Sequence, residues 1–167
     1  FNISTSLSVK VMYTPCHTPG HVCYVVKAPD CPACVFTGDT LFVSGCGNFN
    51  SGTPAQMASA FKRLGKLKSD TLVWVGHEYT VANLSYALSV EPDSKILQEK
   101  MKWAKSQVSS GRYTVPSTIQ EEHDMNPFMR AVYGVEALTK HCGTDDPTSA
   151  IKFVRMEKSS GSWKTKL

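Results

Sequence analysis

The chain has 167 residues, 41% of them hydrophobic and 10% aromatic. That is enough for one domain, or one domain with a helical appendage, and too apolar for a disordered segment. No apolar run reaches the roughly 18–20 residues that span a bilayer. The formal charge of +4 comes without a basic stripe interleaved with aromatics, so neither membrane nor nucleic acid is expected as a partner.

The chain opens at Phe1 without a methionine, a basic leader or a signal-like apolar stretch, and is read as processed or truncated at its N-terminus. Residues 9–13 alternate at period two and predict a strand, followed by a proline- and glycine-rich loop through Gly20. Residues 22–26 predict a second strand, and 34–36 a third after the turn at Ala28-Pro29-Asp30. Pro54 suits the first turn of a helix running to about Lys66, with Met57, Phe61 and Leu64 on one face. Residues 72–75 predict another buried strand.

The second half reads as helical: one helix around residues 83–88, stopping near Glu91-Pro92, and a second through Ile96, Met101 and Trp103. Ser117-Thr118-Ile119-Gln120 fits a capping box. Asp146-Pro147 opens a last helix to about Ser159. Basic residues load this end (Lys152, Arg155, Lys158, Lys164 and Lys166, against Glu157), which charge patterning alone reads as a solvated face. The six cysteines, in the absence of a secretory signal, are expected as reduced and mostly buried thiols. Cys31-Pro32-Ala33-Cys34 has zinc-knuckle spacing but no second pair.

Three segments end on a potential metal ligand beside a glycine: Thr18-Pro19-Gly20-His21, Thr37-Gly38-Asp39 and Gly76-His77-Glu78. Imidazoles with a carboxylate are a ligand set for zinc, iron or manganese. Each has a plain structural explanation when taken alone, as a loop histidine or a turn cap. If the strand at 9–13 runs up, those at 34–36 and 72–75 also run up, so His21, Asp39 and His77 share one edge of the sheet. That joint placement points to a site. His17, four residues before His21, is not in a helix, so the spacing of helical zinc pairs does not apply to it.

The segments Thr14-Pro15-Cys16-His17-Thr18-Pro19-Gly20-His21, Phe36-Thr37-Gly38-Asp39-Thr40-Leu41-Phe42, Gly45-Cys46-Gly47 and Gly76-His77-Glu78-Tyr79-Thr80 resemble glyoxalase II, the hydroxyacylglutathione hydrolases of the metallo-β-lactamase superfamily. The likeness continues through Asn126-Pro127-Phe128-Met129-Arg130 to the helix holding Arg155. It implies an α/β (α+β) fold: residues 1–79 as the C-terminal half of an αββα sandwich, its N-terminal half missing, and residues 80–167 as a helical glutathione-binding domain.

The resemblance further implies a monomeric, cytoplasmic or mitochondrial enzyme that hydrolyses S-lactoylglutathione with two divalent ions. By position, His21 and His77 match ligands of the first and second metal, and Asp39 matches the carboxylate bridging them. Tyr79, Arg155 and Lys158 match contacts to glutathione. The family's remaining ligands belong to a His-x-His-x-Asp-His motif that this sequence lacks, so the chain alone is expected to bind metal weakly and hydrolyse little. Asn48 and Asn50 stand where the family carries a lysine and a tyrosine. A non-catalytic short form and a divergent thioesterase are the alternatives. One face of the half-sandwich should expose apolar side chains.

Overall fold

A computed structural model describes residues 6–166; Phe1 and the side chain of Lys166 lie outside the described residues. One sheet holds five strands in sequential order. β1 (Ser8–Tyr13), β2 (Val22–Lys27) and β3 (Cys34–Gly38) pair antiparallel. The helix α1 (Pro54–Leu64) then returns the chain so that β4 (Leu72–Val75) lies parallel to β3, and β5 (Ser117–Thr118) closes the edge antiparallel to β4. These strand directions are those expected from the sequence.

Thr53 caps α1 by accepting the Gln56 N–H at 3.3 Å while its own N–H donates to Gln56 Oε1 at 2.8 Å, a reciprocal box that satisfies two otherwise orphaned donors. The apolar face of α1 is fully buried at Met57, Phe61 and Leu64. It packs on Val25, Val35 and Val73 of the sheet.

Six helices follow: α2 (Thr80–Val90), α3 (Lys95–Ser109), α4 (Ile119–Met125), α5 (Pro127–Val132), α6 (Glu136–Cys142) and α7 (Pro147–Ser160). Three of these, α4, α5 and α6, are too short for periodicity to reveal. The expected capping box shifts by one residue: Thr118 is the N-cap and pairs with Glu121, while the Ser117 hydroxyl goes to Glu122. Phe128, Ile151 and Val154 join Met57 and Phe61 in one core cluster. Packing therefore runs continuously across residue 79, where the chain changes from mostly strand to helix. All six cysteines are free thiols.

The opposite face of the sheet is apolar and open. Val11, Tyr24, Phe36 and Trp74 stand in register across four strands, and Val11, Tyr24 and Phe36 are each nearly half exposed. An apolar patch of this kind favours self-association.

A buried carboxylate fastens the turn between β3 and α1. Phe42 and Gly45 exchange backbone hydrogen bonds at 3.0 and 2.9 Å, with Ser44 at a left-handed φ of 53°. Glu122, fully buried, accepts the Ser44 N–H at 3.0 Å, the Ser117 hydroxyl at 2.6 Å and the Asn126 amide at 2.8 Å. Asn126 also donates to Gly45 O at 3.0 Å, and Asn83 to Val43 O at 2.9 Å. Burial pushes the Glu122 carboxyl up to about 7 from 4.5, despite the donors that favour its ion.

Two outcomes are expected. Replacing Tyr24 and Phe36 by threonine should reduce light scattering by concentrated chain and leave its melting temperature within a few degrees; undiminished scattering would exonerate this face. Because folded Glu122 holds its proton more tightly than the unfolded chain does, its contribution to stability falls as pH rises from about 4.5 to about 7, by at most about 3 kcal/mol. Urea midpoints measured from pH 4.5 to 8 should show this slope in the parent and lose it in Glu122→Gln.

Candidate active site

The ends of β3 and β4 approach more closely than side chains allow. Gly38 has φ +48°, and a Cβ there would lie 2.8 Å from His21 Nε2; one on Gly76 would lie 2.5 Å from Asp39 Oδ1. Glycine at both positions lets the parallel strands deliver Asp39 and His77 side by side. The Gly76 N–H closes the gap by donating to Gly38 O at 3.1 Å.

Asp39 lies between two imidazoles. His17 Nε2 is 3.2 Å from Oδ2, and His77 Nε2 is 3.5 Å from Oδ1. His17 Nδ1 is 3.0 Å from the Asn48 carbonyl. A carbonyl only accepts, so the proton of a neutral His17 sits on Nδ1 and its Nε2 lone pair faces a carboxylate oxygen. Two lone-pair carriers at that distance call for a positive charge at the site, from a proton or a metal ion. Among the described residues no three His, Cys, Asp or Glu side chains close a metal cage by themselves. Each Asp39 oxygen instead has its own imidazole, a donor set that fits a carboxylate shared by two divalent ions.

His21 lies behind Asp39, against its backbone. Nε2 accepts the Asp39 N–H at 3.2 Å, and Nδ1 is 3.0 Å from both the Thr14 and Thr40 hydroxyls. Burial, with His17 adding to it, holds this imidazole below the usual histidine range, and Asp39 opposes the shift. Both ring nitrogens of His21 are engaged by the protein, so it presents no lone pair toward the Asp39 carboxylate. The sequence reading set His17 aside because it lacks helical spacing. The loop supplies a different geometry: it folds back through Thr14 N–H to His21 O at 2.8 Å and Cys16 N–H to Thr18 O at 3.2 Å, which presents both histidines to Asp39 from different sides.

A cavity of about 320 Å³ runs from His17 and Asp39 to Arg155 and Lys158, with Phe42 and Tyr79 along it. Tyr79 stacks on His77 with centroids 5.0 Å apart, and Phe42 meets both rings edge-on at 5.9 and 5.4 Å. Arg155 and Lys158 do share a face of α7. Arg155 Nη1 donates to Cys46 O at 2.9 Å, and the Lys158 ammonium donates to Asn83 Oδ1. Burial, reinforced by the Arg155 charge, pushes Lys158 down to about 8. Cys46, Asn48 and Asn83 also line the cavity; of these the sequence reading singled out only Asn48, standing where the family carries a lysine.

Glu78 turns away from the site and accepts the Thr114 N–H at 3.0 Å and its hydroxyl at 2.6 Å. His123 and His141 bridge elements: His123 Nε2 lies 3.0 Å from Gly65 O, and His141 Nε2 lies 2.7 Å from Glu157 Oε2.

Two family models match successive stretches of this chain. Residues 4–77 match the family model of the metallo-beta-lactamase superfamily, and residues 78–160 match that of the hydroxyacylglutathione hydrolase C-terminus. A hydroxyacylglutathione hydrolase-like protein of Gallus gallus is 43% identical over 159 residues, covering 93% of this chain and 55% of its own length. The cytoplasmic hydroxyacylglutathione hydrolase of Arabidopsis thaliana is 43% identical over 159 residues, covering 93% of this chain and 60% of its own length. A probable hydroxyacylglutathione hydrolase of Schistosoma mansoni is 43% identical over 145 residues, 85% of this chain and 60% of its own. The chain thus spans somewhat more than half the length of these curated relatives. The two family models meet beside His77, and residues from both matched stretches line one cavity; the chain belongs to the metallo-beta-lactamase superfamily, in the hydroxyacylglutathione hydrolase (glyoxalase II) family.

Proposed function

We propose that this chain is part of a metal-dependent thioester hydrolase acting on S-2-hydroxyacylglutathiones, releasing lactate and glutathione from S-lactoylglutathione in methylglyoxal detoxification. The carrying observation is the single cavity with a carboxylate between imidazoles at one end and two cations at the other. The relatives' names support the reaction class, and the name of the Arabidopsis relative favours the cytoplasm over mitochondria.

In this reading His17, Asp39 and His77 would hold the ions, with His17 taking the part expected of His21. When bound, zinc, iron or manganese ions would supply Lewis acidity and lower the pKa of a water towards neutrality. His21 acts through Asp39 by accepting its backbone N–H. The Asn48 carbonyl keeps the His17 proton on Nδ1 and its lone pair on Nε2.

Arg155 and Lys158 bind the glutathione carboxylate. Charge-assisted bonds of this type contribute about 1.5–3 kcal/mol each. The hold of Cys46 O on Arg155 and of Asn83 on Lys158 fixes both cations before substrate arrives, which lowers the ordering cost of binding. Tyr79 lines the path between the two ends.

A second reading, binding without turnover by this chain alone, is favoured by one contrast. The cationic end is built wholly from contacts within the chain, whereas the metal end has three side-chain donors for two ions. The remaining donors would come from a His-x-His-x-Asp-His segment outside this sequence.

Calorimetric titration of the chain with S-methylglutathione should give weaker binding by roughly tenfold or more on Arg155→Ala; unchanged affinity would remove the carboxylate clamp. Lys158 carries its charge below about pH 8, so affinity should fall between pH 7 and 9 in the parent more steeply than in Lys158→Met. In the full-length protein, His17→Ala and Asp39→Ala should lose most bound metal and nearly all thioesterase activity, while His21→Ala retains more metal than His17→Ala. The reverse order would return the ligand role to His21.

A further inference from the structure

A second cavity, of about 520 Å³, shares Tyr79 and Ala82 with the first. It forms between the start of α2 and the end of α3, where Val81 faces Val108 and the side chain of Lys105. Deeper along the same two helices, Leu84, Ala87, Leu97 and Ala104 are packed together. The groove is thus the end of a helix pair whose apolar seam continues to the surface without closing. Val108 is 55% exposed and Tyr79 48%, and the carboxylate of Glu78 is taken up by Thr114, which leaves the groove predominantly apolar.

We infer that this groove receives the acyl arm of the thioester, so that the site takes glutathione thioesters of apolar acyl groups larger than lactoyl. The inference rests on the glutathione reading above. A thioester has two arms diverging from its carbonyl. With the thiol arm running toward Arg155 and Lys158, the acyl arm leaves at the Asp39 end. Tyr79 belongs to that end through its stack on His77 and is at the same time a wall of the groove. An acyl chain passing over the Tyr79 ring enters a space large enough for several methylenes, each of which gains from leaving water.

The test compares S-methylglutathione with S-hexylglutathione, thioethers that carry the two arms and are not hydrolysed, by titration calorimetry on the metal-free chain. S-Hexylglutathione should bind about tenfold tighter. Val108→Asp, at an exposed position, should erase that advantage and leave S-methyl affinity unchanged. Ile96→Asp, on a different exposed apolar surface, should change neither affinity.

Equal affinities in the parent overturn the groove assignment, as does a hexyl advantage that survives Val108→Asp or falls equally in Ile96→Asp. Binding of the methyl compound without any gain for the hexyl compound removes the groove alone. Failure of both to bind removes the glutathione reading and the groove with it.

Discussion

The site depends on how closely two parallel strands can approach at their ends. β3 and β4 converge until Gly38 O accepts the Gly76 N–H at 3.1 Å, where a Cβ on Gly76 would press on Asp39 Oδ1 and one on Gly38 would press on His21. The residues that follow, Asp39 and His77, are thereby held within 3.5 Å of each other. Their partners come from a loop and a turn: His17 and His21 from the loop after β1, and Gly47, whose N–H donates to Asp39 O at 3.1 Å, from the turn before α1. Asp39 is thus fixed at its N–H by His21 and at its carbonyl by Gly47, with an imidazole facing each carboxylate oxygen. A backbone so anchored reduces the entropy left to lose when the carboxylate binds an ion.

The turn at 42–46 links this fixed point to the helical half of the chain. Its backbone is held by Glu122 and Asn126 from one side, by Asn83 from α2 and by Arg155 from α7. Phe42 at one end of the turn touches the rings of His77 and Tyr79, while Cys46 at the other end anchors the guanidinium. A shift of α7 would therefore reach the imidazole end of the cavity through the five residues of this turn. The two stretches that match separate family models share both a core and this connection.

Much of this was legible in the sequence. Strand directions, the long helices and the grouping of Asp39 with His77 follow from alternation, apolar spacing and the glycines before each ligand-type residue. The likeness of the motifs adds Arg155 and Lys158, whose spacing of three puts them on one helix face. What was not legible depends on contacts made in three dimensions. His17 and His21 are equivalent by composition and separated by three loop residues; which nitrogen keeps a free lone pair is decided by Asn48 O, Thr14, Thr40 and the Asp39 N–H, and none of these partners is marked by spacing. The Glu122 clamp was hidden because a glutamate in a helix normally reads as solvated surface. The capping box slipped by one because Ser117 and Thr118 are both competent caps, and the buried carboxylate of Glu122 claims the first.

The polarity of the cavity decides how a substrate lies in it. Arg155 and Lys158 are both cations, packed near the Phe128 ring with centroid distances of 5.3 and 5.6 Å, and their mutual repulsion contributes to the depressed Lys158 value. Two like charges kept together in a partly desolvated pocket are relieved when an anion neutralises them. At the opposite end, the Asp39 carboxylate repels an anion until positive charge is installed there. In the proposed reaction a carboxylate-bearing ligand would be drawn to the α7 end whether or not ions are present, and only the ion-loaded form would also hold an electron-rich carbonyl beside Asp39. Asn48 and Asn50 add no charge to this gradient: the Asn48 carbonyl is engaged with His17, and the Asn50 amide lies 3.5 Å from the same ring. The cationic pair on α7 and the carboxylate–imidazole cluster at the ends of β3 and β4 thus give one cavity two chemically distinct poles.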